Sequence, residues 1–361
     1  LKSYQVADLE HIFYLRVLNQ FISFLMKILL IQTAFIGDVV LATPLIEKLH
    51  QHYPVSSIDF LVRKGNEGLL IGHPYLRRVL IFDKKEGKYR KLWELRQKIR
   101  AEKYDYVINL QRFITTGLLT ALSGGKVKIG FRKNPLSFLF THQIEHHISA
   151  EKTKNQKNNH EVYRNLALLE SLTDTDFVAP KLYPSEKDFQ KVKRQNPYFC
   201  MAPASVWMTK QFPAQKWEEL IQKLLEISPK NYQILLLGGS GDRSLCEEIQ
   251  QNTDTERVEI WAGKLNLLES AALLKNAKMN FTNDSAPLHF ASAMNAPITA
   301  IFCSTVPEFG FYPLSEVSHI VQTIENLPCR PCGLHGKKAC PSTHFKCANI
   351  SIEQMTENLH L

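Results

Sequence analysis

Met26-Lys27-Ile28-Leu29-Leu30-Ile31-Gln32-Thr33-Ala34-Phe35-Ile36-Gly37-Asp38-Val39-Val40 opens the regular part of the chain. Its first half is an apolar run, which reads as a parallel strand over 27–32 buried on both faces. The strand ends in a turn at Gly37, a residue that permits a tight bend and close approach of the backbone. A helix over 44–52 follows, so the unit is strand, turn, helix. Asp38 then stands at the mouth of a sheet, where it either caps the helix or takes a proton from a substrate hydroxyl. Position alone leaves both readings open.

Outward from this unit the same alternation continues. Strands are expected at 57–62, 78–82 and 106–109, and helices at 92–103 and 160–172. A loop through Pro180 and Pro184 marks a boundary, after which the pattern restarts. Strands fall at 198–202, 233–237, 279–282 and 298–302, with helices at 216–227, 267–276 and 286–294. The fold class is therefore α/β: two Rossmann-like doubly wound domains facing across a cleft, 26–183 and 184–361. In such sheets ligands bind beyond the carboxyl ends of the strands. Residues 1–25 carry an apolar stripe at Leu9, Phe13, Val17, Phe21 and Phe24. They are read as an N-terminal extension or a start placed too early, with a helix on the body or on a membrane surface as the other readings.

The 361 residues suit two domains with separate cores. The composition, 44% hydrophobic and 22% charged, is that of a globular protein. No run approaches the roughly 18 apolar residues of a spanning helix. The net charge of +9 is unevenly placed. Residues 26–180 hold 24 Lys/Arg against 15 Asp/Glu, whereas 181–361 hold 18 of each. One half is thus suited to an anionic partner. All seven cysteines lie in the neutral half, four of them at Cys329, Cys332, Cys340 and Cys347. No secretory signal is read, which makes a reducing cytoplasm the expected compartment.

Two loops of the second half carry further chemistry. Thr282-Asn283-Asp284-Ser285-Ala286-Pro287-Leu288-His289 joins a strand to a helix whose start suits proline. The open N–H groups of Ser285–Leu288 and the positive helix end make an anion site. Asp284 would repel phosphate but can bind sugar hydroxyls, and His289 can donate to a phosphate oxygen; a cap and a packed histidine are the plainer readings. Ala202-Pro203-Ala204-Ser205 and Thr209-Lys210-Gln211-Phe212-Pro213 follow the first strand of this half. Ser205 and Lys210 can reach the same phosphates. The Gly238-Gly239-Ser240-Gly241 loop lacks the full dinucleotide fingerprint and gives no support to hydride transfer.

Together these stretches resemble glycosyltransferase family 9, the bacterial ADP-heptose lipopolysaccharide heptosyltransferases. Met26–Pro54, His160–Asn165, Lys210–Pro213, Ala262–Leu265 and Thr282–Ala293 carry the resemblance, which spans nearly all of 26–361. The cysteine-rich stretch with Pro331, Pro341 and His344 is similar to that of the heptosyltransferase II branch. Its spacing invites a zinc reading, but does not match a paired CxxC ribbon, and reduced thiols or disulfides stay open.

The resemblance implies a GT-B fold in which the first domain binds acceptor and the second binds nucleotide sugar. It makes Asp38 the general base of an inverting transfer of heptose from ADP-heptose to the lipopolysaccharide inner core, at the second heptose. It assigns Ser205 and Lys210 to the diphosphate, Leu265 to adenine, Asp284 to heptose, and Ser285, Ala286, Leu288 and His289 to the leaving ADP. Ala286 stands where the family usually has glycine. No metal or obligatory cofactor is implied, a divalent cation being at most a stimulant. The acceptor is a lipid A–core glycolipid, met by a monomer peripheral to the cytoplasmic face of the inner membrane, with no nucleic acid partner. Residues 84–103 hold nine Lys/Arg against three Asp/Glu, and Lys126, Lys128, Arg132 and Lys133 form a second basic cluster. Lys84, Lys85 and Arg132 are the expected acceptor contacts, and Phe138-Leu139-Phe140 reads as core or as lipid contact. The rivals are a family relative with another nucleotide sugar or glycan acceptor, and a zinc-stabilised non-catalytic binding protein. A nucleic-acid role fits poorly, because charge and cysteines lie in opposite halves and no aromatic-interleaved basic motif is present.

Overall fold

The computed structural model describes residues 26–83, 88–149, 159–253 and 256–359. Residues 1–25, Lys84 and Lys85 lie outside them, so the expectations placed there are not addressed by the structure. Among the described residues twelve strands form two six-stranded sheets. The first contains β1 (Lys27–Ile31), β2 (Ser57–Arg63), β3 (Leu76–Phe82), β4 (Tyr106–Asn109), β5 (Val127–Phe131) and β6 (His142–Ile144). The second contains β7 (Tyr198–Ala202), β8 (Gln233–Leu236), β9 (Val258–Ile260), β10 (Met279–Asn283), β11 (Ile298–Phe302) and β12 (Ser318–Gln322).

Strand order is β3-β2-β1-β4-β5-β6 in one sheet and β12-β11-β10-β7-β8-β9 in the other. All pairings are parallel. Counted within its own sheet, each has the order 3-2-1-4-5-6 of a dinucleotide-binding fold. The order reverses between β1 and β4 in the first sheet and between β7 and β10 in the second. In sheets of this order ligands bind at that reversal, beyond the strand ends. Both β1 and β10 are shielded on each face: Ile28, Leu29, Leu30 and Ile31 are fully buried, as are Asn280, Phe281, Thr282 and Asn283. Helices cover both faces because a right-handed crossover returns each parallel strand to its sheet. The second core gathers Phe199, Phe281, Trp217, Leu220 and Ile221. The first gathers Leu29, Leu61, Phe82, Tyr104 and Val107. Among the described residues no helix is long and apolar enough to cross a membrane.

The chain divides into two compact units: Leu1–His146 with Arg164–Val178, and His147–Tyr163 with Ala179–Leu361. It therefore passes between units three times, not once near 183/184 as the sequence suggests. Hydrogen bonds explain the interleaving. The Glu161 N–H donates to Gly310 O at 2.8 Å, and Asn159 Nδ2 to Glu308 O at 2.5 Å, which ties this stretch to the second unit. Gly310 has φ +83°, and a Cβ there would sit 1.7 Å from Asn159 O. Only glycine lets the two backbones approach so closely. A few residues on, Asn165 Nδ2 donates to Leu41 O at 3.1 Å and the Tyr53 hydroxyl to Leu172 O at 2.6 Å, which holds 164–178 on the first unit. The helix expected over 160–172 is correspondingly short, Glu161–Leu166 followed by a 3-10 turn, Ala167–Leu169.

Candidate active site

β10 ends at Asn283 and a helix begins at Ala286, so Asp284 and Ser285 fill the turn at the reversal point of the second sheet. Asn283 is fully buried and acts as a clasp. Its Oδ1 accepts the Phe212 N–H at 3.0 Å and its Nδ2 donates to Pro203 O at 2.8 Å. The loop after β7 is thereby drawn against the end of β10. A 3-10 turn in that loop, Met208–Lys210, places Lys210 Nζ 2.6 Å from Asp284 Oδ2. The same carboxylate oxygen accepts the Thr305 hydroxyl at 2.7 Å. The two charged side chains are only 14% and 7% exposed. A pair in that setting feels a stronger mutual field than it would in water.

The cysteine-rich segment supports this cluster from behind. Lys337 N–H donates to the Thr209 hydroxyl at 2.7 Å, which also accepts the Ser304 hydroxyl at 3.0 Å. A Cβ on Gly336, whose φ is +77°, would fall 2.9 Å from Lys210 Cγ. Arg330 Nε donates to Cys303 O at 2.7 Å, and its Nη2 donates to Thr305 O at 2.8 Å and to Gln322 Oε1 at 2.7 Å. This guanidinium satisfies carbonyls beyond β11 and fixes the loop that carries Thr305.

Leu265 is half-buried in the loop after β9. Gly263 N–H donates to Gly238 O at 3.0 Å, so the loops after β8 and β9 adjoin. Asn266 and Glu269 then form a reciprocal cap on the next helix, each bond 2.8 Å. Three loops at the carboxyl ends of the second sheet thus carry these residues: Ser205 and Lys210 after β7, Leu265 after β9, and Asp284 with the start of the 286–293 helix after β10.

A family model described as glycosyltransferase family 9 (heptosyltransferase) matches residues 92–339. The chain belongs to that family. It is similar to lipopolysaccharide heptosyltransferase 3 of Escherichia coli K12, with 30% identity over 74% of this chain and 80% of the relative. Identity to lipopolysaccharide heptosyltransferase 2 of the same strain is 24%, over 83% and 88% of the two chains. In fold it is similar to the solved E. coli ADP-heptose lipopolysaccharide heptosyltransferase II, with a TM-score of 0.74, 22% identity, and 92% and 98% of the chains covered. It also matches E. coli WaaC, solved with ADP-2-deoxy-2-fluoro heptose, with a TM-score of 0.69, 20% identity, and 92% and 99% covered. The two parallel sheets are thus those of the GT-B heptosyltransferases, and the chain is a glycosyltransferase.

The geometry adds two facts about this family 9 site. The Leu288 N–H donates to Ser285 O at 3.1 Å, and Pro287 has none. The Leu288 N–H is thus bonded within the first turn, and Ala286 stands at the open end of the helix. Lys210, expected on phosphate, and Asp284, expected on sugar, are bonded to each other. Both follow from packing, which brings the loop after β7 over the turn after β10. Ser205 is half-buried, with its N–H 3.3 Å from Gln211 Oε1.

His289 lies on the same helix, buried, with Nδ1 lacking a hydrogen-bond partner among the described residues. Burial holds its imidazole down at about 4; Lys210 acts in the same direction, while Asp284 and Glu161 oppose it. A neutral ring can still donate one N–H to a phosphate oxygen. Because the folded value lies below the ordinary 6.5, the unfolded chain takes up the proton first as pH falls. Stability is then lost from pH 6.5 down to about 4, at a limiting slope of about 1.4 kcal/mol per pH unit. Burial, helped by His50, lowers His73 to about 4 and adds a second such group. Urea unfolding at pH 7 and pH 5 should show His289→Gln losing about 1–2 kcal/mol less than wild type. An equal loss would mean that His289 is not among the titrating groups.

In the first unit Asp38 is half-buried on the short helix Ile36–Val40 that follows β1. Its Oδ2 accepts the Phe35 N–H at 3.1 Å, closing the turn. Amides knit the surrounding edge. Asn66 Nδ2 donates to Ala34 O at 2.9 Å, Gln111 Nε2 bonds to Gln32 Oε1, and Asn134 Nδ2 donates to Gln111 O at 2.9 Å and Phe113 O at 3.1 Å. The loops after β1, β2, β4 and β5 are thus tied to one another by hydrogen bonds. None of these amides is singled out by the sequence, because each bonds a group distant along the chain. Arg132, expected on acceptor, is exposed and paired with Glu145 at 2.8 Å.

Cys329, Cys332, Cys340 and Cys347 with His344 line a cavity of about 290 Å³. The four thiols are unpaired, and Cys329 Sγ lies 3.8 Å from His344 Nε2. Among the described residues no three His, Cys, Asp or Glu side chains are disposed to hold a metal ion. Burial pushes the Cys347 thiol up to about 11, with Cys332 and Cys340 adding to it.

Proposed function

We propose that this enzyme transfers heptose from ADP-heptose to the lipopolysaccharide inner core, at the second core heptose, with inversion at the anomeric carbon. One observation carries the reading: Lys210, Asp284 and Thr305 converge at the reversal point of the second sheet, beside a helix N-terminus, in a chain of family 9. The lysine and the helix start suit a diphosphate, and the carboxylate beside them suits sugar hydroxyls. Leu265, in the loop after β9, offers an apolar surface to a base. Asp38 takes the proton of the acceptor hydroxyl as that oxygen attacks the anomeric carbon. The bond from that carbon to the diphosphate breaks on the opposite face, and ADP departs with the electron pair. Charge building on the leaving group is met by Lys210 and the Ala286 N–H, with His289 as a neutral donor. The cysteine stretch and the likeness in fold to heptosyltransferase II favour the second heptose.

A second reading has its own observation. Identity is higher, at 30%, to a relative named heptosyltransferase 3 than to one named heptosyltransferase 2. The acceptor would then be a core that already carries two heptoses. Purified protein, ADP-heptose and truncated cores bearing no, one or two heptoses separate these readings. The expected product forms on the one-heptose core; turnover only on the two-heptose core selects the second reading. Turnover only with a UDP- or GDP-sugar would overturn both.

A further inference from the structure

The helix Ile114–Ala121 is apolar on two faces. Thr116, Gly117, Leu119 and Thr120 are buried against the first sheet. On the opposite side Ile114 is 61% exposed, and Leu118 and Leu122 follow it at four-residue intervals, 39% and 38% exposed. These positions align in one stripe along the helix. Phe113, just before the helix, is 62% exposed. A second apolar group adjoins this end. Asn134 bonds the carbonyls of Gln111 and Phe113, and its Oδ1 occupies the space a Cβ on Gly117 would need, at 2.3 Å. The turn after β5 is thereby locked onto the helix start. Three residues beyond that turn, Phe138 is 70% exposed and Leu139 48%, while Phe140 folds inward against Gly130.

Charge marks the same region. Residues 106–144 contain Arg112, Lys126, Lys128, Arg132 and Lys133 and no carboxylate side chain, although Lys126 pairs with Asp105 at 2.7 Å and Arg132 with Glu145 at 2.8 Å. Lys133 is exposed and Arg112 half-exposed. Exposed apolar residues grouped in this way mark interaction surfaces. An apolar stripe edged by cations has the chemistry of a surface that enters the headgroup layer of an anionic bilayer.

We propose that this face docks the enzyme on an anionic lipid surface. Phe113, Ile114, Leu118, Leu122 and Phe138 enter the boundary between headgroups and acyl chains, and Arg112 and Lys133 meet lipid phosphates. The inference rests on the reading of the acceptor as a lipid-anchored glycan, whose sugar must be met at the bilayer surface.

Co-sedimentation of the full chain with vesicles tests it, using phosphatidylcholine alone and phosphatidylcholine mixed with phosphatidylglycerol. Wild type is expected to bind the mixed vesicles, and added salt to weaken binding. Ile114→Gln/Leu118→Gln should reduce that binding by roughly tenfold or more, since two apolar side chains leave the boundary. Phe138→Ser, which lies outside the helix, gives the same test without touching helix stability. Both variants should keep wild-type transfer to a delipidated core oligosaccharide and lose it on acceptor embedded in vesicles. Undiminished vesicle binding by both variants would overturn the proposal, as would binding indifferent to anionic lipid. A wild-type dimer dissociated by the same substitutions would instead make this a contact between copies. Vesicle binding is read without turnover, so failure to transfer heptose to any core counts against the proposed function alone.

Discussion

Asp38→Asn is expected to lower the rate of heptosyl transfer by about 10²- to 10⁴-fold while ADP affinity stays within about twofold of wild type. Asparagine keeps the side-chain oxygen that accepts the Phe35 N–H at 3.1 Å, so the turn after β1 should survive. What it loses is basicity. The choice of variant separates the two roles open to this residue. As a mere partner of the Phe35 N–H, Asp38 would be replaced by asparagine with little penalty, because the amide oxygen accepts the same bond. Asp38→Ala would remove both functions, with about 1 kcal/mol of stability lost besides the activity. Single-turnover transfer and thermal unfolding of the two variants give the answer. An active asparagine variant would leave Asp38 as a structural residue and require another base. A broad loss of ADP binding in the same variant would point to disturbed folding instead.

The parts of this fold that are legible in the sequence are those dominated by burial. β1, β2, β4, β7, β8, β10 and β11 are short apolar runs, and their parallel pairing follows from the helices between them. β5, β6, β9 and β12 escape the same reading. Val127-Lys128-Ile129-Gly130-Phe131 mixes lysine and glycine into its strand, and His142-Gln143-Ile144 is a polar edge. The helix Ile114–Ala121 is also hidden, since threonines and a glycine are weak helix formers. Asn134 side-chain bonds and tertiary packing supply what propensity does not.

The site divides along a similar line. Asp38, Lys210 and Asp284 are legible because loops directly after strands at a reversal point are where ligands meet a doubly wound sheet. Their partners are not. Thr305 reaches Asp284 from the loop after β11, and Asn283 holds the loop after β7 through backbone groups about 70–80 residues away. The cysteine-rich stretch is conspicuous as a cluster of thiols, yet its visible contribution here comes from Arg330, Gly336 and Lys337. Those residues brace Lys210 and Thr305, a role that no spacing of cysteines announces.

Asp284→Ala should destabilise the nucleotide-free enzyme by about 3–5 kcal/mol, because it leaves the Lys210 ammonium buried without its partner and deprives Thr305 of an acceptor. Asp284→Asn keeps the Thr305 bond and should cost less. Lys210→Met removes the cation instead and leaves a carboxylate facing the proposed diphosphate site. Donor affinity should fall by about 10²-fold, reflecting lost charge-assisted bonds and a new repulsion. In the double variant Lys210→Met/Asp284→Asn neither charge remains, so its stability should lie well above the sum of the single losses. A coupling of about 1–3 kcal/mol between the two positions is the expected result of the cycle. Urea midpoints measure it without ADP and again at saturating ADP. If Lys210 turns from Asp284 to the diphosphate on binding, ADP should shrink the coupling, because the lysine has a new partner and the carboxylate is released toward the sugar. A coupling unchanged by ADP would make the pair a fixed strut of the second sheet, and Asp284 would then have little freedom to hold heptose. Additive losses at both conditions would remove the ion pair from the mechanism altogether.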